Sequence, residues 1–261
     1  MEQLLRATAR AEARHFWFRG FRAFVTPLLR RAAGGRSDLR LLDCGCGTGA
    51  NLALLARHGR AFGFDLSEVG LRIAQESNRT RLARASISAI PFPSESFDVV
   101  TSFDVIYSLD DDDERRAIAE LYRVLRPGGF ALVNVAAMES LRGDHSVLSR
   151  EVRRYSRAEL ASKLAAAGFS IVRITYTNAS LFAPMAVARA LQRRRGLHAE
   201  TQTEAQHEIR VPPAPINAAL TLLLQLESVW IRRFDAPFGS SLLCLARKPA
   251  PRLHTHRARS G

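Results

Sequence analysis

The stretch Leu41-Leu42-Asp43-Cys44-Gly45-Cys46-Gly47-Thr48-Gly49 decides the fold. Its first residues are typical of a buried strand, and three spaced glycines follow at once as a turn. Glycine lacks a Cβ, so such a turn lets the backbone come close to a bound small molecule. We therefore expect a strand–loop–helix unit that holds a ligand at the carboxyl end of its strand.

The composition indicates a globular protein with an excess of positive charge. The 261 residues suffice for one large α/β domain with additions, and 47% of them are hydrophobic. The net charge of +13 comes almost wholly from arginine, which fits solvated arginine-rich surfaces, an acidic substrate, an anionic membrane surface or nucleic acid. No apolar run reaches the roughly 18–20 residues of a membrane span. We expect a cytoplasmic protein, with peripheral membrane contact as an option.

The cysteines and the acidic run have simple structural interpretations. Cys44, Cys46 and Cys244 lack C-x-x-C spacing, so we predict buried packing residues rather than a disulfide or a zinc site. Asp110–Glu114 is five consecutive acids before an apolar stripe. Acids favour the first turn of a helix, so this run predicts a helix start and no metal site.

Strand and helix patterns alternate along most of the chain. This alternation predicts an α/β, doubly wound (Rossmann-like), mostly parallel sheet of seven strands, with N-terminal helices and a helical insertion before the last strand. A turn is expected at Arg126–Gly129. The predicted strands are Leu39–Cys44, Arg60–Leu66, Arg84–Ile90, Asp98–Phe103, Phe130–Ala136, Ser170–Tyr176 and Ser241–Ala246.

The chain divides into three predicted parts. Residues 1–36 form an N-terminal helical lid with a break near Pro27. Residues 37–248 form the ligand-binding domain, in which residues 178–235 are a helical insertion and a candidate substrate cap. Residues 249–261 form a disordered basic tail.

The glycine turn admits two interpretations. Gly45-x-Gly47-x-x-Ala50, with Asp65 about twenty residues on, fits a dinucleotide fingerprint and hence a nicotinamide dehydrogenase. The alternative uses the two acids, because Asp43 and Asp65 would end neighbouring strands. Carboxylates accept hydrogen bonds, so such a pair suits a ribose diol and an ammonium group. An acid beside a pyrophosphate is unfavourable, which favours a cofactor without phosphates.

Residues 41–135 resemble the class I S-adenosylmethionine-dependent methyltransferases, in particular the small-molecule type 11/12-like domains. The first motif of that family is matched by Leu42–Gly49, and the second by Gly63-Phe64-Asp65-Leu66-Ser67. The remaining motifs are Pro91-Phe92-Pro93 with Ser96-Phe97-Asp98, and Leu125-Arg126-Pro127-Gly128-Gly129.

The resemblance implies S-adenosylmethionine as the cofactor and S-adenosylhomocysteine as its product. The loop backbone would lie under the methionine part, Asp65 would bind the ribose hydroxyls and Leu66 would contact the adenine. Ser86 stands where family members often carry an acid for the adenine amino group. The implied cofactor-binding set is Asp43, Gly45, Cys46, Gly47, Gly49, Asp65, Leu66, Ser86, Ile87, Phe103 and Asp104.

The acceptor side carries fewer signals. A hydroxyl acceptor needs a group that takes its proton, and the candidates are His145, Tyr107 and Tyr155. Tyr107-Ser108 stands where many relatives have Glu-His. The candidate substrate residues are His15, Trp17, Arg153 and Arg154.

The predicted function is methyl transfer to a small-molecule acceptor, namely a hydroxyl of a sugar, a lipid-linked intermediate or a secondary metabolite. One alternative is a nucleic-acid methyltransferase, but Phe103-Asp104-Val105-Ile106 lacks the Asn- or Asp-Pro-Pro-aromatic run of amino-methylating enzymes. Another is a non-catalytic cofactor-binding or membrane-surface module. We therefore expect a small molecule as partner, no nucleic acid, and an anionic membrane as a candidate peripheral contact.

Overall fold

The computed structural model describes residues 2–143, 146, 151–195 and 210–250, with side chains from residue 5 onwards. The strands are β1 Leu39–Cys44, β2 Gly59–Asp65, β3 Leu82–Arg84, β4 Phe97–Phe103, β5 Leu125–Ala136, β6 Ser170–Thr177 and β7 Ser241–Arg247. The α-helices are α1 Glu2–Glu12, α2 Phe16–Ala33, α3 Leu52–Leu55, α4 Glu68–Glu76, α5 Asp111–Val124, α6 Arg157–Ala166, α7 Phe182–Arg195 and α8 Ala214–Trp230.

The seven strands form one sheet in the order β3-β2-β1-β4-β5-β7-β6. The strands β1 to β5 pair in parallel, whereas β7 runs antiparallel to both β5 and β6. This arrangement confirms the predicted doubly wound, mostly parallel α/β fold. The chain reverses its direction of winding between β1 and β4, and ligands of such sheets bind outside that point.

Helices cover both faces of the sheet, because β1 is apolar on both sides. Leu42 and Cys44 point into one buried cluster with residues of α5 and α6. Leu39 and Leu41 point into the other with residues of α2, α3 and α8. Cys44, Cys46 and Cys244 are all free and buried, as predicted.

The N-terminal helices differ from the prediction in two ways. The break falls before His15, whose ring nitrogen caps α2, and α2 continues through Pro27. The lid interpretation is also wrong for α2. Its residues Phe24, Val25 and Leu29 are buried in the core against the sheet, so opening this helix would expose that apolar surface.

Two predicted strand boundaries are wrong. The third strand covers Leu82–Arg84 rather than Arg84–Ile90, and the backbone then leaves the sheet. The fifth strand starts at Leu125, so Arg126–Gly129 is part of β5 rather than a separate turn. The pairing of β4 with β5 shifts register between Phe97 and Val99, which accommodates these extra residues.

Helix starts follow the sequence signals closely. Asp110 accepts a hydrogen bond from the backbone N–H of Asp113, and Ser67 and Ser156 cap α4 and α6 in the same way. The acidic run therefore serves the start of α5. Gly168 ends the α6 segment with a φ of +97°, in the left-handed region that favours glycine.

The insertion between β6 and β7 contains α7 and α8. The carboxylate of Glu227, on α8, accepts hydrogen bonds from the backbone N–H groups of Ala179 and Ser180 at 2.8 and 3.0 Å. Leu224 of α8 is fully buried against the sheet-covering cluster. Within the described ranges, no helix is both long and apolar enough to cross a bilayer. Residues 251–261 of the predicted tail lie outside the described residues.

A buried carboxylate ties three segments together behind the sheet. Glu114, in the first turn of α5, is 1% exposed. One of its oxygens accepts from Arg153 at 2.5 Å and from Lys163 at 2.7 Å, and the other accepts from the Tyr155 hydroxyl at 2.5 Å. Removing one member of such a network leaves the others buried without compensation.

We predict that Glu114→Gln lowers the free energy of unfolding by about 2–3 kcal/mol, because the partly buried Arg153 and Lys163 lose the buried carboxylate that they share. Urea denaturation followed by circular dichroism measures this change. Asp112→Asn is the matched control, because Asp112 pairs with Arg115 on the exposed side of the same helix. Equal losses in the two variants would contradict the role of Glu114.

Candidate functional site

The glycine loop lies at the carboxyl edge of β1, as the sequence predicts. The backbone N–H groups of Gly45 and Cys46 both donate to the carbonyl of Phe64, each at 2.9 Å, which fastens the loop to β2. Gly45 has a φ of +81°, and a Cβ there would clash with the side chain of Val105. Gly47 has a φ of +51°, and a Cβ there would meet no atom within 4 Å. The loop therefore presents bare backbone to open space at Gly47.

Asp43 is a buried acid at the end of β1 with one unpaired oxygen. Its Oδ1 accepts from the hydroxyl of Thr101 on β4 at 2.6 Å. Its Oδ2 is buried and has no hydrogen-bond partner among the described residues. Burial, with the nearby charge of Asp65, raises the pKa of Asp43 from 3.8 to about 7. A cationic group or a donor placed at Oδ2 would relieve this desolvation.

Asp65 ends β2 and organises the other side of the loop. Its two carboxylate oxygens accept from the backbone N–H groups of Gly47 and Ser67, both at 2.8 Å. Each oxygen retains a second acceptor position. The next residue, Leu66, is 62% exposed and offers an apolar surface beside the polar loop.

Phe103 and Asp104 mark the end of β4. Phe103 packs edge to face against Phe21 of α2, with ring centroids 5.0 Å apart. Asp104 is exposed and has a φ of +59°, a conformation that costs energy for a residue with a Cβ. Its carboxylate accepts from the side-chain amide of Asn134 at 2.8 Å, and its backbone N–H donates to the Asn134 carbonyl. β5 therefore holds Asp104 in this strained position.

Ser86 and Ile87 lie in the segment that follows β3. The hydroxyls of Ser86 and Ser88 are 2.7 Å apart. Ile87 is buried and its side chain belongs to the core cluster beside α5 and α6. The Ser86 hydroxyl also accepts from the backbone N–H of Ser88, so its contact with the adenine stays a prediction, while Ile87 contributes packing.

Sequence reasoning missed a contact between the N-terminal segment and the loop. The Thr48 hydroxyl donates to the carboxylate of Glu12, at the end of α1. The distances from the hydroxyl oxygen to the two carboxylate oxygens are 2.7 and 2.9 Å. Burial raises the pKa of Glu12. Glu12 is one of only two acids in the arginine-rich residues 1–36. The rarity of acids in this segment is the feature of the sequence that could have indicated a specific partner for Glu12.

The candidate proton acceptors fare differently. His145 lies outside the described residues. Tyr107 follows β4 in a short 3₁₀ turn, and burial, with the charges of Asp104 and Glu151, raises its pKa far above the usual value. A phenol that retains its proton donates rather than accepts. The interpretation of Tyr155 as a catalytic residue is wrong, because it is fully buried and bonded to Glu114.

Three of the four candidate substrate residues have structural partners. Arg153 pairs with Asp111 and Glu114, and Arg154 pairs with Glu151 and with the carbonyl of Ala137. Their guanidinium groups are therefore occupied by protein partners, which argues against their candidate role as substrate residues. His15 is buried as the cap of α2, and burial lowers its pKa.

Trp17 is partly buried against the cluster that contains α2 and α8, and its ring meets Phe16 edge to face. The aromatic segment therefore packs α2 against its neighbours, and the role of Trp17 in substrate binding stays a prediction.

The fold and the geometry of the glycine loop in this chain are those of the class I S-adenosylmethionine-dependent methyltransferases. Residues 42–133 match the family model described as a methyltransferase domain. S-adenosylmethionine is the cofactor of that class. The observed site fits it, because Asp43 offers an unpaired buried oxygen and Gly47 faces open space.

Known proteins similar to the chain include two curated bacterial relatives. A probable S-adenosylmethionine-dependent methyltransferase of Mycolicibacterium smegmatis is 30% identical over 161 residues, which cover 60% of each chain. A ubiquinone/menaquinone biosynthesis C-methyltransferase of Shewanella halifaxensis is 29% identical over 136 residues, covering 48% of this chain and 52% of that protein. The matches thus span little more than half the length of these relatives.

A solved structure shows the same fold. It is an S-adenosylmethionine-dependent methyltransferase of Thermotoga maritima, described as a possible histamine N-methyltransferase. The TM-score is 0.54 at 20% identity, and the match covers 89% of this chain and 92% of that one.

We predict that Asp43→Asn changes how stability depends on pH. The folded-state pKa of Asp43 lies above its unfolded value, so the folded state holds an extra proton between pH 3.8 and about 7. Stability of the native protein should therefore fall as the pH rises through this window, by at most roughly 1.4 kcal/mol per pH unit from this group. The variant should lack that part of the slope.

Urea denaturation at a series of pH values measures the effect, with Asp112→Asn as the exposed control. The free energy of unfolding of Asp43→Asn, minus that of the native protein, should increase from about pH 4 to about pH 7. Above about pH 7 this difference should stay constant. Parallel stability curves for the native protein and Asp43→Asn would contradict the raised pKa.

Proposed function

We propose that the chain transfers a methyl group from S-adenosylmethionine to a small-molecule acceptor. The observation that carries this proposal is the pair of acids around the glycine loop. Asp43 has a buried oxygen without a described partner, and Asp65 holds Gly47 where its Cα faces open space. This combination suits a ligand with a cationic amino acid part and a ribose diol, and it does not suit a pyrophosphate.

The proposed cofactor contacts extend along the carboxyl edge of the sheet. The loop backbone from Gly45 to Gly49 would lie under the methionine part, with Asp43 and Cys46 behind it. Asp65 would accept from the ribose hydroxyls through its remaining acceptor positions. Leu66 would cover the adenine, because its exposed apolar surface would be buried there. Ser86 and the backbone of Ile87 would meet the adenine edge.

The chemistry asks little of the protein beyond positioning. When bound, the cofactor supplies an electrophilic methyl group on a sulfonium. Phe103 and Asp104 would flank the reacting end, and the two hydrogen bonds between Asp104 and Asn134 would hold its carboxylate there. Such a carboxylate can accept a hydrogen bond from an acceptor hydroxyl and orient it for in-line attack. Tyr107 would act as a hydrogen-bond donor beside it.

We propose a hydroxyl of a sugar, a lipid-linked intermediate or a secondary metabolite as the acceptor. A relative whose name places it in ubiquinone/menaquinone biosynthesis is compatible with a lipophilic acceptor, and its description as a C-methyltransferase makes a carbon acceptor the alternative. The proposed domain limits are residues 37–248, with α7 and α8 contributing walls on the acceptor side.

We also propose peripheral contact with an anionic membrane through α8. Its outer face carries Leu226, Val229 and Trp230, which are 60%, 56% and 47% exposed. Their spacing places them on one side of the helix, and exposed Phe234 lies just beyond its end. Arg232 and Arg233 follow directly. An apolar stripe with an aromatic end and flanking arginines suits an anionic lipid surface.

We predict that Asp65→Ala weakens binding of S-adenosylmethionine about 10- to 100-fold, because it removes a charged acceptor from the ribose and from the loop. Isothermal titration calorimetry measures the dissociation constant. Asp112→Asn, an exposed acid distant in sequence from the loop, is the control. An unchanged dissociation constant for Asp65→Ala would show that the ribose does not bind there.

Methyl transfer itself is tested with labelled cofactor and an organic-solvent extract of bacterial cells. The native protein should move label into an extractable product, and Asp65→Ala should do so much more slowly. Cofactor binding without transfer to any fraction would identify the non-catalytic module instead. Label in added RNA or DNA would favour the nucleic-acid alternative.

For the membrane contact, we predict that the double variant Leu226→Ser with Trp230→Ser loses about 10-fold or more of its binding to phosphatidylglycerol vesicles, because the buried apolar area falls. Vesicle co-sedimentation measures this. Val152→Ser is the control, since Val152 is an exposed apolar residue outside the helical insertion. Vesicle binding that is unchanged, or a dimer that dissociates in the double variant, would contradict the proposal.

A further inference from the structure

A cavity borders the glycine loop. It has a volume of about 610 Å³, is open to solvent, and is lined by residues of α1, α2, α3 and α8 and by the residues after α4. Thr48 and Gly49 line it, so it shares a wall with the loop. None of the side chains proposed for the adenine, the ribose or the transferred methyl group lines it.

The charge of this cavity is strongly unbalanced. Four arginines line it, namely Arg19, Arg22, Arg57 and Arg79, against the single carboxylate of Glu12. That carboxylate already accepts the hydroxyl of Thr48. The part of the chain that the structure describes therefore leaves a positive excess in this cavity.

Two of the guanidinium groups are held in unfavourable surroundings. The Nε of Arg79 is buried and has no hydrogen-bond partner among the described residues. Arg22 donates to the backbone carbonyl of Glu12 at 2.7 Å. Burial, and in smaller measure the neighbouring Arg19, lowers the pKa of Arg22. A buried donor without a partner and several like charges in one cavity are costly unless an anion compensates them.

From this geometry we propose that the cavity binds a phosphorylated small molecule through a multiply charged phosphate group. Guanidinium groups bind phosphate oxygens through paired, charge-assisted hydrogen bonds. The volume falls within the usual range of small-molecule sites. The alanine and leucine side chains of Ala9, Ala23 and Leu54 form an apolar wall beside the arginines, where the remainder of such a molecule can pack.

This site is independent of the proposed methyl transfer. The cofactor carries no phosphate, and of its proposed contacts only Gly49 also lines the cavity. A test with a phosphate probe therefore reads the arginine cavity without any dependence on cofactor or acceptor.

The test is calorimetric titration of the full chain with inorganic pyrophosphate at constant ionic strength. We expect saturable binding of one equivalent, and the double variant Arg57→Gln with Arg79→Gln should weaken it at least about 10-fold, because two guanidinium contacts are lost. Arg31→Gln is the matched control, since Arg31 is exposed on α2 and does not line the cavity. It should bind like the native protein.

Several results would overturn the proposal. Pyrophosphate that does not saturate by about 10 mM would exclude a specific site, since such affinity is below that of ordinary ligands. Equal affinity in the double variant and the native protein would place the anion elsewhere. If the double variant unfolds, the single variants Arg19→Gln and Arg57→Gln decide, because both residues are exposed. Loss of affinity in neither of them would also refute the cavity.

Discussion

The buried carboxylate of Asp43 is the constraint on which the site depends. A strand that runs into the middle of a sheet would ordinarily end in apolar residues, and an acid there must be compensated. Thr101 compensates one oxygen across the β1–β4 boundary, and the other oxygen is left for something outside the described chain. The sheet reverses its winding at that boundary, so this carboxylate stands where the fold already opens a crevice.

Two acidic side chains, one on β2 and one on α1, hold the glycine loop. Asp65 binds it from β2, through the N–H of Gly47, and Glu12 binds it from α1, through the hydroxyl of Thr48. A loop of glycines has many accessible conformations, and these contacts select one of them. The preorganisation of the loop therefore draws on a segment that precedes the sheet as well as on the sheet itself.

The sequence predicted the sheet, the loop and the helix caps well, because each depends on neighbouring residues. Apolar runs predicted β1 and β4, and the acidic run at Asp110–Glu114 predicted the start of α5. The interpretation of α2 as a lid failed because burial depends on what lies opposite, which the spacing of Phe24 and Leu29 does not show.

Long-range pairs account for the other errors. Arg153 was a candidate substrate residue and Tyr155 a candidate catalytic residue. Both donate hydrogen bonds to the carboxylate of Glu114, some forty residues away in sequence. The same holds for Glu12 and Thr48, which are 36 residues apart. The sequence does not show whether a charged or hydroxyl side chain already has a hydrogen-bond partner that is distant along the chain. The local pattern is informative about elements and their ends, and much less so about which polar groups remain free.

Glu227 has a consequence for how far α8 can move. Its carboxylate receives the backbone N–H groups of Ala179 and Ser180 and the Ser180 hydroxyl, which come directly after β6. Moving α8 away from β6 would leave a buried carboxylate and three hydrogen-bond donors without partners, which costs free energy. α8 is thus fixed to the end of β6 and is not free to move as a flap, so any molecule that binds beside this helix meets a wall of constant shape.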